Sequence, residues 1–351
     1  MNKKISIDCE RMQYPNTGLY SYCFFLTQAL IESLNKEERL FVYGQANNKK
    51  LFGDKANYIQ QSPFHKIIFP SISDIDIWHS TYQSTEYFPF NRNVKKVLTI
   101  HDLNFLHEQT KSTSKKNNYL RKLTEKVKQS DHVVFISHFV KEDFSKYIDL
   151  NAIPHSIIYN GIGLEKIERV MDPINAPTGE FIFALGLITP KKNFHVLPSI
   201  LVNNHYKLII AGDVQNKEYK AKIIGEAIKF GVVDRIQFVG AISENDKQWY
   251  YQHCTAFAFP SIAEGFGLPA IEAMRFGKPV FLSNHTSLPE IGGDKAFYFN
   301  EFDPFSMQAI FAKGLVQFKE SNMAEKIIEH SNQFNWTKAA EQYLAVYRSL
   351  Y

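Results

Sequence analysis

Short apolar runs alternate with amphipathic segments from one end of this 351-residue chain to the other. That alternation constrains the fold more than any single motif. In the first half the runs occupy residues 5–7, 40–43, 66–69, 75–78, 97–100, 133–136 and 156–159. The second half repeats the style at 181–184, 207–211, 236–239, 256–259, 280–282 and 296–299. Continuous runs this short suit strands covered on both faces, and the stretches between them are long enough for crossovers. The pattern predicts an α/β chain with parallel sheets. Residues 170–179 carry two prolines, a glycine and polar residues, which reads as a linker between two domains.

Several classes drop out on composition. A net charge of +4 gives no footing for nucleic-acid binding but suits an anionic ligand. Cys9, Cys23 and Cys254 form no CxxC pair and no metal-ligand spacing, so they read as buried free thiols in a reducing compartment. No apolar core follows Lys3 and Lys4, and no stretch approaches the ~18 apolar residues of a membrane span. The expected location is cytoplasmic. No GxGxxG follows any strand, which argues against a dinucleotide oxidoreductase.

The most informative stretch is Glu264-Gly265-Phe266-Gly267-Leu268-Pro269, with Glu272 beyond it. It follows the run at 256–259, so it opens a βα unit at a strand's carboxyl end, where open α/β sheets bind ligands. Gly265 and Gly267 permit close backbone approach, and Pro269 suits a first helical turn. Free N–H groups near Leu268, Ala270 and Ile271 would face a phosphate, aided by the helix dipole. Glu272, read as lying in the first turn, pairs with Glu264 to suggest a ligand carrying phosphates and hydroxyls. A second loop, Gly186-Leu187-Ile188-Thr189-Pro190-Lys191-Lys192-Asn193, places two lysines after the run at 181–184, suited to a diphosphate.

Two glutamates separated by seven residues around Gly-Phe-Gly-Leu-Pro resemble the signature of glycosyltransferase family 4. The resemblance spans nearly the whole chain. It implies the GT-B fold: two Rossmann-like domains facing each other across a cleft, with a C-terminal helix packing back on the first. The domains are expected at 1–168, joined by the helix at about 336–351, and at 179–335. Lys192 matches the family lysine that holds the donor diphosphate. Leu187 stands where many members carry arginine, and Lys191 takes the place of an arginine found in a subgroup. Gly18, in Tyr14-Pro15-Asn16-Thr17-Gly18, resembles the family's glycine loop after the first strand. His101-Asp102 resembles its His-Asp pair, with the histidine near the donor sugar. Residues 283–290 and Phe334-Asn335-Trp336 with Tyr347 resemble further family segments of architectural role.

The resemblance implies a retaining hexosyltransferase that uses a nucleotide-diphosphate sugar and no metal or other cofactor. His101, Glu264 and Lys192 would act in catalysis. Gly18, Lys191, Lys192, Gly265, Phe266, Gly267, Leu268 and Glu272 would bind the donor. Glu264 would meet sugar hydroxyls and Glu272 the ribose. The His-Asp pair and Pro-Lys-Lys-Asn resemble members using GDP-mannose, with a glycan or lipid-linked glycan acceptor in surface polysaccharide or lipopolysaccharide synthesis. A nucleotide-sugar epimerase and a non-catalytic nucleotide-sugar-binding module remain alternatives. Asp74-Ile75-Asp76 fits a DxD metal pattern but enters an apolar run at its amino end, so no metal site is expected there. Residues 111–128 hold seven lysines or arginines against one glutamate. They read either as a peripheral membrane contact or as a solvated helix whose Tyr119, Leu120, Leu123 and Val127 pack on the domain.

Overall fold

The computed structural model describes residues 3–351 except 16, 91–92, 108–110, 151–152, 164–166, 168–169 and 175. The chain forms two units, Met1–Gly163 with Phe334–Tyr351, and Leu164–Gln333. Asn16 of the glycine loop and Asn175 of the expected linker lie outside the described residues.

The first unit runs β1 (Lys3–Asp8), α1 (Gly18–Ser33), β2 (Glu38–Gly44), α2 (Asn48–Phe52), β3 (Asn57–Gln60), β4 (Ile77–Ser80), β5 (Lys95–Ile100), α3 (Asn104–His107), α4 (Thr113–Lys128), β6 (His132–Phe135), α5 (His138–Ser145) and β7 (His155–Ile157). Its seven strands are all parallel, in the order β3-β2-β1-β4-β5-β6-β7. The order reverses between β1 and β4, so a crevice opens at the carboxyl ends of those strands. Ile5, Ile7, Ile77, Val97 and Val134 are fully buried in one core with α1, which is why these strands read as unbroken apolar runs.

The run at 66–69 is not a strand. Ser62 caps a 3-10 turn at Pro63–Lys66, and Ile67 and Ile68 are 85% and 74% exposed. The edge is already occupied by β3, whose half-buried Asn57-Tyr58-Ile59-Gln60 carries no apolar run.

The second unit runs β8 (Phe181–Leu185), β9 (Lys207–Ala211), α6 (Lys217–Lys229), β10 (Ile236–Gly240), α7 (Glu244–His253), β11 (Ala256–Phe259), α8 (Leu268–Arg275), β12 (Val280–Ser283), α9 (Leu288–Gly292), β13 (Phe297–Phe299), α10 (Pro304–Glu320) and α11 (Met323–Ser331). Its six parallel strands lie in the order β10-β9-β8-β11-β12-β13. Here the reversal falls between β8 and β11. The expected linker is no free tether. Met171 exchanges two hydrogen bonds with the Asn245 side chain, and Trp249 Nε1 donates to Asp172, both on α7.

After α11 the chain returns to the first unit as α12 (Trp336–Arg348), as the sequence resemblance implied. Asn335 caps it, and it packs along α1. Gly161 allows this: a Cβ there would sit 2.3 Å from the Trp336 backbone nitrogen. Tyr343 shares a buried hydroxyl cluster with Tyr22 (2.7 Å) and Thr99 (3.1 Å). Tyr347 meets His79 Nδ1 at 2.7 Å, while Arg348 grips Glu38 with two nitrogens at 2.7 and 2.8 Å. His79, near the carboxyl end of β4, is wholly buried and spent on Thr99 and Tyr347. The three cysteines are buried and free.

Candidate active site

In the second unit, the two loops singled out in the sequence flank the strand-order reversal. The first follows β8. Gly186 has φ +152°, and a Cβ there would lie 2.9 Å from Lys192 Cε, so the glycine makes room for the lysine stem. Pro190–Lys192 forms a 3-10 turn that ends at Asn193 in the left-handed region. The second loop follows β11. It is stitched to the first: Ile262 N–H donates to the Lys191 carbonyl at 2.9 Å, and Ser261 Oγ lies 3.1 Å from the same oxygen.

Lys192 and Glu264 meet at the centre. Lys192 Nζ lies 2.6 Å from Glu264 Oε1 and 4.6 Å above the Phe259 ring. Ser261 Oγ reaches the same Oε1 at 2.5 Å. Both charged side chains are largely buried, so the ion pair is poorly screened and closely positioned. Lys191, by contrast, is exposed, and its side chain has no partner among the described residues. Thus one lysine is held within the site while its neighbour is free to reach an anion.

A third loop supports Glu264. Thr286 Oγ1 accepts the Glu264 N–H at 3.1 Å, and Ser287 Oγ contacts the carbonyls of Glu264 (3.1 Å) and Phe266 (2.8 Å). Residues 283–290 resemble a family segment of architectural role, and Thr286 and Ser287 within it clamp Glu264 without any motif that marks them. Gly267 has φ +106° and would clash with Leu288 if it carried a Cβ, at 2.7 Å. Phe266 is buried, and Leu268 begins α8.

Two details differ from expectation. The Ala270 N–H is not free, because it donates to the Gly267 carbonyl at 2.9 Å. Glu272 is not in the first turn: α8 starts at Leu268, which puts Glu272 a full turn in, where the helix dipole helps a carboxylate little. It is held instead from α7. Tyr251 donates its hydroxyl to Oε2 at 2.9 Å, and Lys247 Nζ lies 3.2 Å from Oε1. Burial opposes the Lys247 ammonium, but Glu272 and Glu244 together raise its pKa above the usual lysine range. Tyr251 and Lys247 carry no motif, so only the fold brings them to Glu272.

Gly18 and His101 belong to the first unit. Gly18 opens α1 one turn before Tyr22, and a Cβ at Gly18 would meet nothing within 4 Å. The Tyr22 ring packs edge-on against His101 at 4.5 Å, so both candidates lie at the same end of the sheet. His101 Nε2 is 2.7 Å from the Thr81 carbonyl, which can only accept. The proton therefore sits on Nε2, and Nδ1 carries a lone pair. Burial lowers the imidazole pKa to about 4, so the ring is neutral at physiological pH. Asp102 Oδ1 accepts the Asn104 N–H at 2.9 Å and orients backbone. Asp74 and Asp76 lie at the opposite end, before β4, where Asp76 Oδ2 accepts the Lys4 N–H at 2.8 Å and Asp74 pairs with Lys4 Nζ.

Two family models match adjoining parts of the chain: Glycosyltransferase Family 4 over residues 41–166, and Glycosyl transferases group 1 over residues 166–333. The serotype-specific mannosyltransferase WbdA of Escherichia coli is 29% identical over 63% of this chain and 29% of its own length. The chain thus spans less than a third of that relative. The O-antigen chain mannosyltransferase B of Escherichia coli is 23% identical over 99% of this chain and 100% of its own. Among solved structures, Anabaena Alr3699/HepE in complex with UDP and glucose superposes with a TM-score of 0.74. It covers 99% of this chain and 100% of its own at 16% identity. With two parallel doubly wound units and family models running from residue 41 to residue 333, the chain belongs to the glycosyltransferases of family 4 type, with the GT-B fold.

Proposed function

We propose that the chain is a retaining hexosyltransferase that moves mannose from GDP-mannose to a glycan or lipid-linked glycan in surface polysaccharide or lipopolysaccharide synthesis. The observation that carries this reading is the buried Lys192–Glu264 pair at the strand-order reversal of the second sheet. Relatives named as mannosyltransferases support the choice of sugar.

In this reading Lys192 and Lys191 stabilise the leaving diphosphate as the glycosidic bond breaks. The acceptor oxygen bonds to the anomeric carbon from the same face, and its proton passes to a leaving phosphate oxygen. Glu264 meets sugar hydroxyls, Glu272 the ribose, and the His101 Nδ1 lone pair accepts from a hydroxyl of the donor sugar. Gly18 and the backbone of Gly265, Phe266, Gly267 and Leu268 line the donor. Charge compensation by lysine leaves no step that needs a metal. Thermal shift against UDP, GDP, ADP and CMP, with and without Mn²⁺, tests the assignment. Stabilisation by GDP alone without metal is expected, growing with ligand concentration. No shift with any diphosphate, or a strict Mn²⁺ requirement, would overturn it.

We also propose contact with the cytoplasmic face of an anionic membrane. Among the described residues no helix is long and apolar enough to cross a bilayer. On α4, Leu123 and Val127 are buried in the unit and Leu120 is half-buried, whereas Tyr119 of the expected stripe is exposed, so beyond that ring the helix contributes charge outward, from Lys115, Lys122 and Lys128. Apolar surface comes from the neighbouring tip, where Phe64 is 77% exposed beside Ile67 and Ile68. Tip and helix are adjacent: Lys66 pairs with Glu86 at 2.5 Å, and Lys66 with Lys122 and Lys126 lowers the Glu86 pKa. Replacing Phe64, Ile67 and Ile68 together by serine should cut binding to phosphatidylglycerol vesicles by tenfold or more, at about 1.5–3 kcal/mol per side chain fully buried. Equal sedimentation of the wild type with phosphatidylcholine vesicles, or an unaffected variant, would count against it.

A further inference from the structure

The turn after β4 carries more machinery than a surface connection needs. Thr81, Gln83 and Thr85 are all buried there, and so is Lys126, which reaches the turn from α4. A buried ammonium is costly unless its protons are satisfied. Lys126 Nζ donates to the Gln83 carbonyl at 3.0 Å and also to the Thr85 carbonyl. Burial pulls its pKa down to about 8, against the opposing pull of Asp8 and Glu86 and with that of Lys122. From the β1 side, Asp8 takes the Thr85 hydroxyl at 2.8 Å, and the Asp8 carbonyl takes the Thr81 hydroxyl at 2.5 Å.

What this turn presents is His101. The Thr81 carbonyl holds Nε2–H. The Gln83 amide reads the adjoining backbone on both sides: its oxygen accepts the His101 N–H at 3.0 Å, and its nitrogen donates to the Asp102 carbonyl at 2.9 Å. Regular pairing of β4 with β5 ends at Ser80 and Leu98, so the Gln83 side chain extends the ladder beyond the last strand residue. We propose that Gln83 and Lys126 are positioning residues that fix the place and the tautomer of His101. The proposal rests on the reading of His101 as the group that meets the donor sugar. Lys126 secures the turn, the turn secures the imidazole, and the Nδ1 lone pair stays pointed at one place.

A double-mutant cycle tests this with GDP release from GDP-mannose as the readout. Gln83→Ala should lower kcat about tenfold while leaving the affinity for GDP within twofold. In a His101→Ala background the same change should cost less than twofold more, because the two act through one group. Lys126→Met, which keeps the stem and removes the charge, should behave as Gln83→Ala. Imidazole ¹⁵N spectra give a readout that needs no substrate: one neutral Nε2–H tautomer for His101 in the wild type, and tautomer exchange in Gln83→Ala. Full activity of His101→Ala would remove the reading of His101 itself. A crippled His101→Ala beside a normal Gln83→Ala, or a tenfold loss that persists in the His101→Ala background, would overturn the positioning role alone.

Discussion

Lys192→Ala is expected to lower kcat by about 10²–10³, the cost of losing one preorganised electrostatic contact to a developing charge. The ammonium is held by Glu264 at 2.6 Å, over the Phe259 ring, with Gly186 clearing space for its stem. Its position is set before any ligand arrives, which is the condition under which such a charge contributes most to a transition state. Lys191→Ala, by contrast, removes an exposed and unheld ammonium and should raise the donor KM a few-fold with little change in kcat. Glu272→Ala should weaken GDP binding about tenfold, in line with the loss of a hydrogen bond to a charged group. Steady-state kinetics and titration calorimetry on the purified variants separate these effects. Wild-type turnover in Lys192→Ala would remove the site assignment.

The second large effect concerns stability. A chain shortened to residues 1–333 should fail to fold its first unit, although the second keeps its own core. The lost segment buries Phe334, Trp336, Tyr343, Leu344 and Tyr347 against that unit. At about 1.5–3 kcal/mol per large side chain this is on the order of 10 kcal/mol, comparable with the whole stability of a domain. The cut also leaves the Glu38 carboxylate without Arg348, His79 Nδ1 without Tyr347, and Thr99 without Tyr343. Limited proteolysis should return a resistant fragment near residues 164–333 and rapid loss of the remainder. Two protected fragments would show that the first sheet is self-sufficient.

Much of this was legible in the chain itself. The strands at 207–211 and 256–259 coincide with apolar runs because both faces of each are covered. The Lys192 and Glu264 loops were visible because glycine, proline and charge at fixed offsets leave a local signal. Edge strand β3 left none, since a half-buried strand needs no apolar run, while the exposed residues 67–68 imitated one. The partners of Glu272 and His101 were invisible for another reason. Tyr251, Lys247 and Gln83 sit 21, 25 and 18 residues from the groups they hold, and Lys126 sits 43 residues from the Gln83 carbonyl it secures, all at ordinary helix and turn positions. Only the packing of elements makes them neighbours.

The return of α12 to the first sheet also orders events during synthesis. The first unit is interrupted after Gly163 and resumes at Phe334, so its helix emerges about 170 residues late. At ~5–20 residues per second, the ribosome leaves the nascent sheet waiting on the order of 10–30 s with the bed of its last helix uncovered. Over that interval the ribosome makes the whole of the second unit, whose sequence is complete before that of the first, and the apolar surface beside α1 becomes a place for a chaperone to hold.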